Sequence, residues 1–349
     1  MKVHKNIFEQ IITPENLFQA WDEFRRGKGS RKDVQAFEWG LEQNILSLCR
    51  DLRNRTYKHG EYSAFSICDP KQRRIHKATV RDRILHHAIF KVLNPIFEPT
   101  FIAHSFSCRE GKGTHKAVDA LEVWLRKVSR NNRAPCFALK CDIQQFFASV
   151  DHEILLSILS KKIKDPDAMQ LLIEVVESFC TPGQEDERPK GIPIGNLTSQ
   201  LFANVYLNEF DQFMKHGMHV RHYVRYTDDF IIVDSDKSAL EKLIPVMQEF
   251  VSESMKLKLH PRKITLRKFG QGIDFLGYVV LPHHRMLRTR TKQRMFRKLK
   301  VRVVSFKAGS GSESSVECSL QSYLGVLSHA DTNRLSEELK NRCWFWMSE

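Results

Sequence analysis

Apolar residues return at helical spacing through the N-terminal part of the chain. Residues 14–27 carry that period, and over 33–52 one stripe runs through Val34, Phe37, Leu41, Ile45, Leu48 and Leu52. The period then shortens: 62–68 and 73–78 predict a hairpin bridged by Asp69-Pro70. Helical spacing resumes at 80–93, 114–128, 152–163, 168–179, 197–214 and 238–255. Two short β-prone runs, 222–226 and 230–233, predict a second hairpin, and an apolar strand ends at Asp142. The polar stretch 181–190, with two prolines, predicts a surface loop, and the Gly/Ser-rich stretch 308–315 a connector between helices. Helices alternating with strands predict an α+β fold. There is no long internal repeat, and no apolar run approaches the roughly twenty residues that cross a bilayer.

The second hairpin places Asp228 and Asp229 where its strands meet. Adjacent like charges on a tight turn repel, and a divalent cation reverses the sign of that penalty. A solvated turn, in which Asp is common, is the alternative. A further acid closes the run Ala138-Leu139-Lys140-Cys141-Asp142, and the aromatics Phe146 and Phe147 follow. A carboxylate at the end of a buried strand suits a hard cation that takes oxygen ligands. A cap on the helix that follows is the plainer reading. Together Asp142, Asp228 and Asp229 form the inventory of a two-metal phosphoryl-transfer site, where one ion activates an attacking oxygen and the other steadies the leaving pyrophosphate.

Charge supports a polyanionic partner. Lys and Arg total 55 against 41 Asp and Glu, a net +14, in a chain of 349 residues that is ample for subdomains around one cleft. The excess is clustered: 25–32 holds five basic residues in eight, and 285–302 holds nine in eighteen. In the latter, Met295, Phe296, Leu299 and Val303 fall on one helical face, which leaves the other to track phosphates or simply to be solvated. The eight cysteines show neither C-x-x-C pairing nor a preceding secretory signal, so buried reduced thiols in a cytoplasmic protein are expected. His86 and His87, in a helical stretch without a ligand-spaced carboxylate or thiol, read as packing or nucleic-acid contacts. His283 and His284, after Pro282, read as an exposed turn.

In their order along the chain, these segments resemble bacterial reverse transcriptases. Tyr226-Thr227-Asp228-Asp229 resembles the Y-x-D-D box of the palm, and the run from Asp142 to Phe147 resembles the first palm motif. Between them, Gly191-Ile192-Pro193-Ile194-Gly195-Asn196-Leu197-Thr198-Ser199-Gln200 is similar to the G-x-x-x-S segment that opens the palm helix. Arg73-Arg74-Ile75-His76-Lys77 and 105–115 resemble fingers motifs; 257–263 and Phe275-Leu276-Gly277-Tyr278 resemble the last palm elements and the primer grip. Enzymes of the group II intron type carry Q-G-x-x-x-S-P where this chain has Ile194-Gly195 and Ser199-Gln200. The I-G-x-x-x-S-Q form resembles diversity-generating retroelement enzymes, as does 322–330. Orphan and defence-associated reverse transcriptases share parts of the pattern, and Thr227 is a mild departure from the box.

The resemblance implies a right-hand polymerase with an N-terminal helical segment (1–60), fingers and palm (61–282) and a basic helical thumb (283–349). It implies RNA-directed DNA synthesis, error-prone in the diversity-generating case. Asp142 and Asp228, with the Ile143 carbonyl, would hold two magnesium ions, for which manganese can substitute, and Asp229 would complete the charge. Phe147 would lie beneath the incoming sugar and exclude a ribose 2′-OH, unless it is ordinary core as Phe146 is expected to be. Arg74 would embrace the triphosphate, a task that Arg73 or Lys77 also fits. Lys263 is a candidate for protonating pyrophosphate, against a merely solvated lysine. Ile194, Gly195, Ser199 and Gln200 would border the nascent base pair, and Phe275, Leu276 and Gly277 would grip the primer. Arg109, Lys112, Arg288, Arg290, Lys292, Arg294, Arg297 and Lys298 are expected on nucleic acid. Partners implied are a structured template RNA, the primer and cDNA, and a small basic helical accessory protein, with no membrane.

Overall fold

The computed structural model describes residues 2–68, 72–182 and 189–349. It opens with helices α1 (Ile7–Ile12), α2 (Pro14–Arg25), α3 (Lys32–Trp39) and α4 (Leu41–Arg53). Thr13 starts α2 by accepting from the Asn16 N–H, with Pro14 in the first turn where its missing N–H costs nothing. The stripe over 33–52 predicts one helix, but there are two. Gly40 takes φ −117°, ψ 37° and turns its N–H back to the Glu38 carbonyl. The stripe survives the break, with Val34, Ile45, Leu48 and Leu52 buried.

Strands β1 (Ser63–Cys68) and β2 (Gln72–Lys77) form the first hairpin, in register from Ser63↔Lys77 to Cys68↔Gln72. Its expected Asp69-Pro70 bridge lies outside the described residues, as does most of the loop expected at 181–190. Then come α5 (Val80–Phe97), α6 (Thr114–Val128), β3 (Phe137–Asp142), the single turn α7 (Phe146–Ser149), α8 (His152–Lys162), α9 (Pro166–Glu177) and α10 (Leu197–Gln212). The second hairpin is β4 (Tyr223–Tyr226) and β5 (Asp229–Asp234), followed by α11 (Lys237–Glu253) and β6 (Thr265–Lys268). Short strands β7 (Ile273–Phe275), β8 (Tyr278–Val280) and β9 (Arg285–Leu287) lead to α12 (Thr289–Lys307), α13 (Glu313–Leu327) and α14 (Asn333–Ser348). The Gly/Ser connector is shorter than its composition predicts. Helix α13 begins at Glu313, because the Ser312 hydroxyl accepts from the Ser315 N–H.

The central sheet is antiparallel in the order β4-β5-β3-β6 and is covered on both faces. Alternate residues serve two cores. Leu139, Cys141, Tyr223, Phe230 and Ile232 face a first core shared with helices α1 to α5 and α8 to α11. Ala138, Val224, Ile231 and Val233 face a second, shared with α6 and α12 to α14. This is why β5 reads as an unbroken apolar run, not as alternation. Residues on both sides of position 60 share the first core, and β9 continues the β7-β8 sheet past position 282.

All eight cysteines are free; Cys49, Cys136, Cys141 and Cys343 are buried, whereas Cys68, Cys108, Cys180 and Cys318 are exposed, contrary to the expectation of buried thiols throughout. Three of the exposed ones sit at a strand end or in connecting segments; Cys318 lies on the open face of α13. His86 is buried, its ring meeting Thr198 Oγ1 at 2.8 Å and the His59 ring at 3.2 Å. His283 and His284 are exposed in a bend. Among the described residues, no helix is long and apolar enough to cross a membrane.

Candidate active site

The register Tyr226↔Asp229 leaves Thr227 and Asp228 as a two-residue turn at the end of the central sheet. Thr227 sits at φ 53°, a conformation that a β-branched residue adopts only under constraint. The constraint is visible: its hydroxyl donates to Ser107 Oγ at 2.7 Å, and its carbonyl accepts from Arg225 Nη1 at 3.1 Å. Arg225 is fully buried. Its Nε and Nη2 donate to the Asp211 carboxylate at 2.8 and 2.6 Å, and Nη2 also reaches Ser105 Oγ at 3.0 Å. The Tyr223 hydroxyl donates to the same carboxylate at 2.8 Å. A satisfied buried ion pair therefore stands directly behind the turn and fixes its carbonyl.

Asp142 and Asp229 are directly opposed on β3 and β5, and the Ile143 N–H donates to the Asp228 carbonyl at 3.2 Å. Three carboxylates are thus gathered at one sheet edge, where opposed like charges destabilise. Burial first, and then Asp142 and Asp229, push the Asp228 carboxyl up to about 6. Burial also raises Asp229, against the pull of nearby Lys140. Lys263 Nζ lies 2.6 Å from Asp142 Oδ1, and Lys140 Nζ lies 3.9 Å from Asp229 Oδ1. The cap reading of Asp142 finds no support, since α7 has Gln145 as its cap and no side-chain cap bond. Among the described residues, no three acidic, histidine or cysteine side chains are drawn together as a formed metal cage. The donor set nonetheless fits hard divalent cations. The burial and like charge that lift Asp228 are what such a cation relieves, and Lys263 and Lys140 supply part of that countercharge to the carboxylates. The cleft over this edge, about 320 Å³, is lined by Lys140, Asp142, Asp229, Arg262, Lys263 and Arg288 among others.

The other expected residues divide. Gln145, at φ 47°, turns the chain after β3 so that Phe146 is buried against Tyr206 while Phe147 stays half-buried beside it. The Phe147 carbonyl accepts from the Ile192 N–H at 2.7 Å and the Ile194 carbonyl from the His76 N–H at 3.4 Å. The segment 191–200 therefore bridges α7, the turn that follows β3, to the first hairpin. Gly195 makes this possible: it has φ 125°, and a Cβ there would stand 3.2 Å from Ile75. Ile194 is half-buried, Ser199 buried and Gln200 exposed. On β2, Arg73 and Arg74 are exposed, whereas Lys77 is paired with Asp33 at 2.7 Å. That favours the arginines for reaching a ligand. The turn Phe275-Leu276-Gly277 has positive φ at Leu276 and Gly277; Phe275 is buried in the second core, Leu276 packs half-buried against it, and Gly277 is half-buried, so the turn offers little open surface for the expected primer grip.

Four of the residues expected on nucleic acid are engaged with partners within the protein. Arg109 is spent on the Glu98 carboxylate (2.7 Å) and the carbonyls of Ile102 and Ser105, with its side chain 6% exposed. Lys112 donates to the Ala103 carbonyl at 2.8 Å. Both fasten the 98–113 loop instead of presenting free charge. Arg288, which precedes α12, pairs with Asp274; on α12 itself Lys292 pairs with Glu338, Arg294 and Lys298 are half-buried, and Arg290 and Arg297 are exposed. Sequence reading missed Arg225, Asp211, Ser107 and Lys140. The available signal was a lone cation inside each of two apolar strands, at 225 and 140.

The reverse transcriptase (RNA-dependent DNA polymerase) family matches over residues 58–280, most of the chain. Protein YkfC of Escherichia coli is 25% identical over 61% of this chain and 62% of its own length. The group II intron-encoded protein LtrA of Lactococcus lactis is 22% identical over 79% of this chain and 57% of its own. The chain thus spans about three fifths of the length of these curated relatives. Apo telomerase from Candida tropicalis superposes with a TM-score of 0.48 at 11% identity, covering 66% of this chain and 55% of that one, a likeness too distant to bear on the site. With an α+β polymerase fold, three carboxylates at the palm edge and a family match across both, the chain belongs to the reverse transcriptase family.

Proposed function

We propose that this protein is an RNA-directed DNA polymerase that extends a primer along an RNA template, and that Asp142, Asp228 and Asp229 hold two magnesium ions. The observation that carries the reading is the convergence of three carboxylates, one lifted to about 6, on a sheet edge beside a basic cleft. The bound ions would supply Lewis-acid activation of the primer hydroxyl and charge neutralisation at the leaving pyrophosphate. The protein's own share is positioning. The Arg225–Asp211 pair holds the turn, Phe147 limits the sugar, Arg74 contacts the triphosphate, and Lys263 beside Asp142 stands where a proton or countercharge is needed. Labelled deoxynucleotide incorporation on a primed RNA, with and without magnesium, tests this. Asp228→Ala should abolish synthesis with RNA binding retained, and retention of even about a tenth of the activity would refute the assignment.

The finer programme we propose is that of a diversity-generating retroelement enzyme, copying a structured template-repeat RNA with frequent errors at adenines. Ile194-Gly195 with Ser199-Gln200 supports it, together with the position of Ile194 between palm and first hairpin. An apolar side chain there offers shape but no hydrogen bond, so a mispair loses less relative to a correct pair. Restoring a polar contact in Ile194→Gln should improve discrimination by about one to two powers of ten, since such a contact is worth on the order of 1–3 kcal/mol. Sequencing the cDNA from both enzymes decides it. Equal, low error rates at adenines would favour a defence-associated enzyme with a dedicated non-coding RNA.

A further inference from the structure

A second basic cleft opens at the far end of the palm sheet. Strand β5 begins at Asp229 in the catalytic edge and ends at Asp234 in this cleft, ~17 Å away at strand rise. The cleft is about 580 Å³, and its lining includes Lys127, Arg130, His219, Arg221 and His222, with Asp234 as its one carboxylate among the described residues. Its two rims are rigidly built. On one, Arg130, Asn131 and Asn132 are successive left-handed residues at φ 49°, 56° and 69°. That rim is tied down by Asn131 N–H to the Arg126 carbonyl (2.9 Å), by the Ser129 hydroxyl accepting from the Asn132 N–H (3.0 Å), and by Asn132 Nδ2 donating to the Pro282 carbonyl (2.8 Å). On the other, Lys215 Nζ donates to the carbonyls of Val220 and Arg221 at 3.1 and 2.8 Å. The Lys127, Arg130 and Arg221 side chains are left exposed on these fixed rims. Between them lies the His222 ring, backed by Trp124 with centroids 5.0 Å apart and planes tilted by 55°, and Trp124 packs in turn on His104 at 4.9 Å. Burial above all, with Lys127 and Lys215, holds the His222 ring towards its neutral form, against a hydrogen bond to the Val233 backbone and the charge of Asp234.

Fixed cations around a stackable ring are the elements that bind unpaired nucleic acid: phosphates on the charges and a base on the ring. We propose that this cleft binds a single-stranded segment of RNA separate from the primer–template held at the carboxylates, with Lys127, Arg130 and Arg221 on its phosphates and His222 beneath a base. Only the choice of RNA over DNA rests on the proposed RNA-directed activity. Such a segment would be an unpaired region of the template RNA, or of a larger folded RNA, anchored remotely while its other part is copied.

The test is Lys127→Glu, Arg130→Glu and Arg221→Glu together in the full chain, with an unstructured labelled RNA of about 40 nucleotides as probe. Affinity for that probe should fall at least tenfold at moderate salt. The dependence of log K on log salt should flatten by about 0.7 for each phosphate no longer neutralised. Extension of oligo(dT) on poly(rA) at saturating primer–template should stay within about twofold, because the cleft lies beyond the screening length from the catalytic edge. Unchanged RNA affinity overturns the proposal and leaves the cleft to an acidic protein surface. An equal loss on both substrates also overturns it, by making the cleft part of the primer–template track. If the charge-reversed protein melts early, the same three positions as Gln give the same two readings. If the unsubstituted chain fails to extend oligo(dT) on poly(rA), the polymerase reading falls while the RNA-affinity arm still stands.

Discussion

The carboxyl of Asp228 shows how a proposed metal ligand shifts the balance of its own fold. Its folded pKa of about 6 exceeds that of a free aspartate, so the folded state keeps a proton that the unfolded state releases. The stabilisation this brings is fully present below about pH 4 and is lost as pH rises through 6. The metal-free protein should therefore lose melting temperature across that window, and Asp228→Asn should flatten the loss while abolishing synthesis. Scanning calorimetry of both proteins from pH 4 to 7 checks this; parallel curves would refute it. Phe147 carries a second expectation. Because its ring is half-buried beside fully buried Phe146, Phe147→Ala should remain folded and raise ribonucleotide use relative to deoxynucleotide use. An unchanged ratio in an active variant would return the ring to the core. That Asp142, Asp228 and Asp229 sit at strand ends was legible because each falls where a strand pattern stops or starts. Arg225 and Asp211 were not, because their pairing depends on how β4 lies across α10, a packing relation with no local signature.

At the scale of elements, the segment 191–200 joins the palm to the β1–β2 hairpin through two carbonyls and one glycine. Gly195→Ala would put a side chain at φ 125° and against Ile75, so the hairpin should be pushed from its seat. Since Arg74 rides on that hairpin, KM for deoxynucleotide should rise by roughly tenfold, from a strain of ~1–3 kcal/mol, while kcat changes less. Steady-state kinetics separates the two, and an unchanged KM would mean that the hairpin does not depend on this seat. Helix and strand order was legible from periodicity for most elements from α2 to α11, but β6 to β9 were not, because strands of three or four residues are too short to show a period. The break at Gly40 was not, because the apolar stripe continues in phase across it. The intramolecular pairing of Arg109, Arg288 and Lys292 was likewise hidden: a basic residue reads as available until its acidic partner is located in space.

At the scale of the molecule, one residue couples palm and thumb. Arg285 donates to Asp119 (2.7 Å) and Glu122 (2.6 Å) of α6 and to the His329 carbonyl (3.1 Å), while its own N–H donates to Asp331 at 2.8 Å. Its guanidinium thus ties the β9 edge to both α6 and the α13–α14 turn. Arg285→Ala should shorten the cDNA made per binding event, read with a competitor trap, and leave addition of the first nucleotide within about twofold, since the carboxylates share no partner with it. Products of unchanged length would show that the thumb needs no such tie.

The two-faced burial of β5 has a consequence for how this protein tolerates change. Phe230 and Ile232 look into the core of the N-terminal helices, and Ile231 and Val233 into the core of the thumb. The strand that carries the catalytic turn is therefore a septum with a different tenant on each side. A one-residue slip would exchange the tenants, so register is policed from both directions. Neighbouring positions on one strand then belong to separate mutational neighbourhoods: one answers to the packing of the N-terminal helices, the next to that of the C-terminal helices.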